Sequence, residues 1–214
     1  MNRVDYSLYL VTDRNLARCG SFEDIVAEAL SGGVTMVQLR EKSLGAGAFL
    51  REARSLKELT DRFCVPLIIN DRLDIALACG ASGVHLGQDD MPCAIARRIA
   101  GRKLIIGVSV STIEEALEAT AQEADYLGIS PVFSTPTKTD TPVPVGIQGL
   151  MHLRRATHIP LVAIGGINAA NAADIVRAGA DGIAVVSSIM ASSAPRLAAV
   201  ELRSAIEEAK SISR

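Results

Sequence analysis

Charged and amide residues stand at the ends of short apolar runs along this chain, and their types suit the handling of anions. Gln38, Arg40 and Lys42 follow Met36-Val37 at alternate positions, so along a strand they project from one side. An amide and two cations on one side match a polyanion such as a diphosphate, the guanidinium as a fork and the ammonium as a point charge. Asn70-Asp71 closes Leu67-Ile68-Ile69, and Asp89-Asp90 follows Val84-His85-Leu86 and Gly87-Gln88. Carboxylates from neighbouring strands, opposite a cationic strand, are the donors that hold Mg²⁺ while phosphate oxygens complete its shell. Helix capping is the competing reading for Asp and Asn at such places. Gly165-Gly166 and Ser187-Ser188 end two later runs, where small residues let backbone N–H groups approach an anion. The glycines could instead merely turn the chain. Between Pro131 and Gly146 lies the longest irregular stretch, with Pro136, Pro142 and Pro144 alongside Thr135, Thr137 and Lys138. A loop of that length in a compact domain is usually functional, often a lid.

These residues share a site only if the runs that carry them are parallel strands. The runs begin near Leu8, Met36, Leu67, Val84, Leu104, Tyr126, Leu161 and Ile183, and helical spacing fills the gaps. Phe49, Ala53, Leu56 and Phe63 fall near one helix face, as do Ala198, Leu202, Ala205, Ala209 and Ile212. Thr112 with Glu115 is a capping box, and Asn171 is placed to cap the next helix. Helix ends around Gly32-Gly33, Gly80, Gln122-Glu123 and Gly179 recur every two units. Strand and helix alternating eight times, with no linker, predict a single-domain α/β fold over residues 1–214, a (β/α)8 TIM barrel. Two Rossmann-like halves are weaker, because no G-x-G-x-x-G follows the first run. In a barrel the polar endings meet at the C-terminal face, with phosphate commonly bound after strands seven and eight.

Composition narrows the class. Apolar residues make up 49% of the 214 and aromatics 3%, so the core is built from Ala, Val, Ile and Leu. A net charge of −2 gives no case for nucleic acid or an anionic membrane. No apolar run spans a bilayer, the first residues do not read as a signal peptide, and the scattered cysteines suit a reducing cytoplasm. Glu41 points away from Arg40 and Lys42 and supports structure. His85 reads as a packed barrel residue, His152 and His158 as distant from the catalytic ends, and Arg97-Arg98 and Arg154-Arg155 as facing water. No serine has a convincing His/Asp partner, which disfavours nucleophilic hydrolysis.

Gln38-Leu39-Arg40-Glu41-Lys42, Ile69-Asn70-Asp71-Arg72, Val84 through Asp90, Gly107-Val108-Ser109, Thr135-Pro136-Thr137-Lys138, Ala163 through Ile167 and Val186-Ser187 together strongly resemble thiamine phosphate synthase. The match runs in unbroken order from about Leu8 to Ile189. The resemblance implies a (β/α)8 transferase joining a hydroxymethylpyrimidine diphosphate to a thiazole phosphate, often carboxylated, with release of diphosphate. It implies that Gln38, Arg40, Lys42 and Asn70 bind the pyrimidine diphosphate, and that Asp71 and Asp90 hold Mg²⁺. Ser109 would contact the pyrimidine and Lys138 the diphosphate; Thr135, Pro136, Thr137, Gly166, Val186 and Ser187 would hold the thiazole phosphate. Arg40, Lys42 and Lys138 would be the catalytic cations. The implied partners are these small molecules, and a homo-oligomer is compatible with the sequence. Ser130 stands where Gly is expected, Ser134 where Pro is usual, and Ser82 in place of a frequent Asp.

Three rivals explain less. A thiazole tautomerase of the same fold needs no diphosphate subsite, which the Gln-x-Arg-x-Lys set and the two aspartates supply. A phosphosugar aldolase or isomerase wants a lysine or carboxylate base at an inner strand position, whereas Lys138 sits in a loop. A non-catalytic phosphate-ligand regulator would bind without releasing diphosphate.

Overall fold

The computed structural model describes residues 4–17, 20–134 and 143–212. Among them are strands β1 (Leu8–Val11), β2 (Met36–Leu39), β3 (Leu67–Asn70), β4 (Gly83–Leu86), β5 (Ile105–Val110), β6 (Tyr126–Ile129), β7 (Leu161–Ile164) and β8 (Gly182–Val185). Each pairs in parallel with the next, and β8 returns to β1, so the sheet closes into a barrel. The strands are short and buried on both faces, which is why they read as continuous Val/Ile/Leu runs rather than alternating ones.

Helices α1 (Phe22–Ser31), α2 (Ala46–Arg62), α3 (Leu73–Cys79), α4 (Cys93–Ala100), α5 (Ile113–Ala121), α6 (Gly146–Ala156), α7 (Ala172–Arg177), α8 (Ser187–Met190) and α9 (Pro195–Ile212) wrap the barrel. Ser21 caps α1 by accepting from the Asp24 N–H, and Thr112 and Glu115 cap α5 reciprocally. Phe49, Ala53 and Leu56 bury one face of α2, but Phe63 is half-exposed, because it lies beyond the helix end where Cys64 turns at φ 55°. The expected Asn171 cap does not form. Its side chain instead accepts from the Asn168 N–H (2.9 Å) and donates to the Gly166 carbonyl (3.0 Å).

Two cores result. The larger lies between strands and helices, and the smaller fills the barrel interior with Tyr9, Val11, Met36, Ile68, Tyr126, Val162 and Ala184. At the N-terminal end of the barrel, two buried or half-buried arginines depart from the expected water-facing positions. Arg97 donates to the carbonyls of Gly101 (2.8 Å), Leu104 (2.8 Å) and Glu123 (2.8 Å) and to Asp125 (2.5 Å), whose carboxylate also accepts from the Ile106 N–H. Arg154 repeats the device two units later with Asp181 (2.9 Å) and the Thr157 and Ile159 carbonyls, and Asp181 accepts from the Leu161 N–H. The aliphatic stems cross apolar surface while the guanidinium satisfies strand-end carbonyls. Arg98 and Arg155 face water as expected.

Arg97→Met should lower the unfolding free energy by about 2–4 kcal/mol, because each buried carbonyl left without its charged donor costs about 1–3 kcal/mol. An unchanged urea midpoint would refute that role.

Candidate active site

A cavity of about 490 Å³ opens at the C-terminal ends of the strands. Register decides what reaches it. Asn70 on β3 sits beside His85 on β4, His85 beside Gly107 on β5, and Ser109 beside Gly128 on β6. Gln38, Asn70 and Ser109 therefore point into the cavity from β2, β3 and β5, while Arg40, Lys42, Asp71 and Asp90 line it from just beyond the strand ends. Gly166, Val186 and Ser187 line the β7–β8 side. Every site residue anticipated from the sequence lines this cavity except Thr135, Pro136, Thr137 and Lys138, which lie outside the described residues.

The β2–β4 side is a charge cluster. Lys42 Nζ stands 2.5 Å from Asp71 Oδ2, and Asp90 accepts from the Gly87 N–H at 2.7 Å. Burial acts to raise the Asp71 carboxyl, yet the Lys42 ammonium and a hydrogen bond shared with Asp90 hold it below its ordinary value. Asp90 moves the other way: burial and the facing Asp71 carboxylate lift it, outweighing the Gly87 N–H. Asp71 also adopts φ 62°, unusual for a residue with a Cβ, with its N–H bound to the His85 carbonyl at 2.8 Å. Asn70 is 7% exposed and its amide nitrogen has no hydrogen-bond partner among the described residues. A buried donor left open at a cavity wall is available to a group that enters the cavity. Glu41 turns outward as expected: Arg14 lies between it (3.5 Å) and Glu52 (2.5 Å).

Beneath the charges lies a polar ladder that residue types and spacing do not reveal. Gln38 Nε2 donates to the Tyr9 hydroxyl at 2.9 Å, and Tyr9 meets the Tyr126 hydroxyl at 3.0 Å. Tyr126 reaches His85 Nδ1 at 2.9 Å, and His85 Nε2 reaches Ser109 Oγ at 2.8 Å. His85 is buried, as a packed residue would be, but it lines the cavity and holds Ser109. The signal lies in the glycines. A Cβ on Gly107 would stand 2.1 Å from Tyr126 Cζ, and one on Gly128 would stand 2.9 Å from His85 Cε1. Glycine inside a strand marks a close approach, here of two rings.

The opposite side is built from backbone. Gly165 and Gly166 take φ 107° and 65°, and the loop after β6 lies directly on them. Val132 and Phe133 donate N–H to the carbonyls of Ile164 and Gly165, while Val145 and Gly146 bond back to Pro131 and Val132. The described flanks of the proline-rich stretch are thereby tied to the β7 ending. Ser188 Oγ donates to the Ile167 carbonyl at 2.8 Å and binds the two glycine- and serine-bearing turns together.

A family model described as thiamine monophosphate synthase matches residues 8–189 of the chain. A thiamine-phosphate synthase of Albidiferax ferrireducens is 54% identical over 200 residues, 94% of this chain and 91% of that protein. One from Chloroflexus aurantiacus is 52% identical over 203 residues, covering 95% and 94%. Among solved structures, a thiamine phosphate pyrophosphorylase from Pyrococcus furiosus superposes with a TM-score of 0.89 at 42% identity, covering 96% of this chain and 98% of that one.

The left-handed backbone at Asp71 separates its charge from its conformation. Asp71→Asn should keep folding stability within about 0.5 kcal/mol, since Asn tolerates that region, whereas Asp71→Ala should cost about 1–2 kcal/mol. Equal thermal unfolding of the two variants would refute this.

Proposed function

The chain belongs to the thiamine monophosphate synthase family, and from that premise we propose how its barrel mouth divides the work of a thiamine-phosphate synthase. The enzyme is a transferase. In our reading the bond from the pyrimidine's methylene carbon to the diphosphate oxygen breaks, and the electron pair leaves on the diphosphate. The thiazole nitrogen then donates its lone pair to that carbon, forming the new carbon–nitrogen bond. That nitrogen carries no hydrogen to lose, so no general base is required of the protein.

Arg40, Lys42 and Asn70 grip the diphosphate and meet the charge that grows on it as the bond breaks. Lys138 joins them from the segment outside the described residues. The observation that carries this placement is the buried Asn70 amide nitrogen, without a partner among the described residues, in a cavity that Arg40 and Lys42 also line. Gln38 and Ser109 receive the pyrimidine. Gly166, Val186 and Ser187, with Thr135, Pro136 and Thr137, hold the thiazole phosphate, an anion that suits the backbone donors opening α8. Holding the two reactants in line can contribute on the order of 7–11 kcal/mol to lowering the barrier.

Asp71 and Asp90 would hold Mg²⁺. Their facing carboxyls, one already lifted by the other, form a pair that a divalent cation relieves. Among the described residues no group of three or more His, Cys, Asp or Glu could hold a metal, so diphosphate oxygens and water would complete the shell. When bound, the ion neutralises charge on the departing diphosphate. The tautomerase reading leaves both the carboxylate pair and the Asn70 donor without a task. Among the described residues no helix is long and apolar enough to cross a membrane. The free thiols of Cys64, Cys79 and Cys93 support a reducing, cytoplasmic setting.

Diphosphate release should require the pyrimidine diphosphate, the thiazole phosphate and Mg²⁺ together. Asp71→Asn and Lys42→Met should each lower turnover roughly a hundredfold, the usual cost of one preorganised charge-stabilising group. Near-wild-type turnover by either variant at saturating Mg²⁺ would overturn these roles.

A further inference from the structure

The proposed reaction engages only the two ends of the interior ladder, Gln38 and Ser109, and gives Tyr9, Tyr126 and His85 no task. All three sit between those ends, in hydrogen-bond contact from one to the next. Hydroxyl groups buried in a barrel core are costly unless hydrogen-bonded, and here each is bonded to the next member of the ladder. Two glycines also stand on the strands where the Tyr126 and His85 rings need room.

Counting hydrogens gives the ladder a direction. The Gln38 amide nitrogen can only donate, so the Tyr9 oxygen accepts from it. Both tyrosines are fully buried and desolvation lifts their hydroxyls far above the ordinary range, so each keeps its one hydrogen. The Tyr9 hydrogen is then directed to Tyr126, and that of Tyr126 to His85 Nδ1. A neutral imidazole that accepts at Nδ1 carries its one ring hydrogen on Nε2, which faces Ser109 Oγ. What remains for the cavity is complementary at the two ends: an amide oxygen that accepts at Gln38, and a hydroxyl hydrogen that donates at Ser109.

We propose that Tyr9, Tyr126 and His85 are positioning residues that hold Gln38 as acceptor and Ser109 as donor, so that the site selects an aminopyrimidine over the corresponding oxopyrimidine. The amino group of the former donates while its neighbouring ring nitrogen accepts, which matches the two ends. The oxo compound carries an accepting oxygen and, beside it, a donating ring N–H. Binding it requires the Gln38 amide, both hydroxyls and the imidazole tautomer to reverse together. The selection rests on the proposed pyrimidine placement, whereas the tautomer can be read without any ligand.

The test uses 4-amino-5-hydroxymethyl-2-methylpyrimidine and its 4-oxo counterpart as competitors of the pyrimidine diphosphate. Neither carries a leaving group, so reactivity does not enter. Wild type should prefer the amino compound on the order of a hundredfold, and Tyr126→Phe should bring the two within about threefold. Tyr9→Phe, which frees Tyr126 to turn, should also narrow the gap; it serves as the readout if Tyr126→Phe does not fold. Nitrogen-15 spectra of the unliganded wild-type chain should show His85 protonated at Nε2 and unprotonated at Nδ1, with that preference weakened in Tyr126→Phe. Equal competition by both compounds in wild type, an Nδ1-protonated His85, or full discrimination retained by a folded Tyr126→Phe would overturn the ladder while leaving the activity assignment standing. If neither compound competes in wild type, the pyrimidine placement fails and takes this inference with it.

Discussion

Everything at the barrel mouth depends on the closed parallel register of eight short strands. The described strands run four to six residues, so each has only one or two inward positions on the ligand side of the interior core. A one-residue slip in any of them would turn its inward residues out toward the helices. Asn70, His85 and Ser109 come together because β3, β4 and β5 are held in one register, with Asn70 beside His85 and His85 beside Gly107. Closure also removes sheet edges, so the strand backbone is satisfied within the barrel and its mouth is left to side chains and turns.

The mouth is electrostatically unequal. The β2–β4 side gathers Arg40, Lys42, Asp71 and Asp90, and Lys42 and Asp71 neutralise each other in an ion pair. The β7–β8 side has no comparable side-chain charge in the described cavity lining and offers backbone from Gly165, Gly166 and α8. A diphosphate that must depart is better met by mobile cations, whereas a phosphate that serves only as a handle is well met by fixed dipoles. The asymmetry fits a reaction that joins two unlike partners.

Between these sides the interior departs from a purely apolar core. Tyr9 and Tyr126 bury rings among Met36, Ile68 and Val162, so they contribute apolar area while their hydroxyls form the ladder. The arrangement is tolerated because every hydroxyl has a partner on each side. At the other end of the barrel, Arg97 and Arg154 do comparable structural work on strand-end carbonyls. Polar groups thus satisfy strand-end carbonyls at the bottom and line the cavity at the top, the separation that barrel architecture provides.

Periodicity and punctuation alone determined the eightfold alternation of strand and helix, because burial on both strand faces and on one helix face leaves its imprint in residue order. The polar endings likewise marked Gln38, Arg40, Lys42, Asn70, Asp71, Asp90 and Ser109, whose position after an apolar run is a local fact. His85 is legible only in part, since a histidine inside an apolar run looks the same whether it packs or bonds to Ser109. Arg97 and Arg154 read as water-facing because nothing near them in sequence reveals carbonyls and aspartates supplied by later segments. Asn171 reads as a cap and instead braces the Gly166 turn. Only the tertiary structure decided these, because each depends on partners brought together by register across the barrel, and local residue patterns do not encode a hydrogen bond between Tyr9 and a residue 117 positions away.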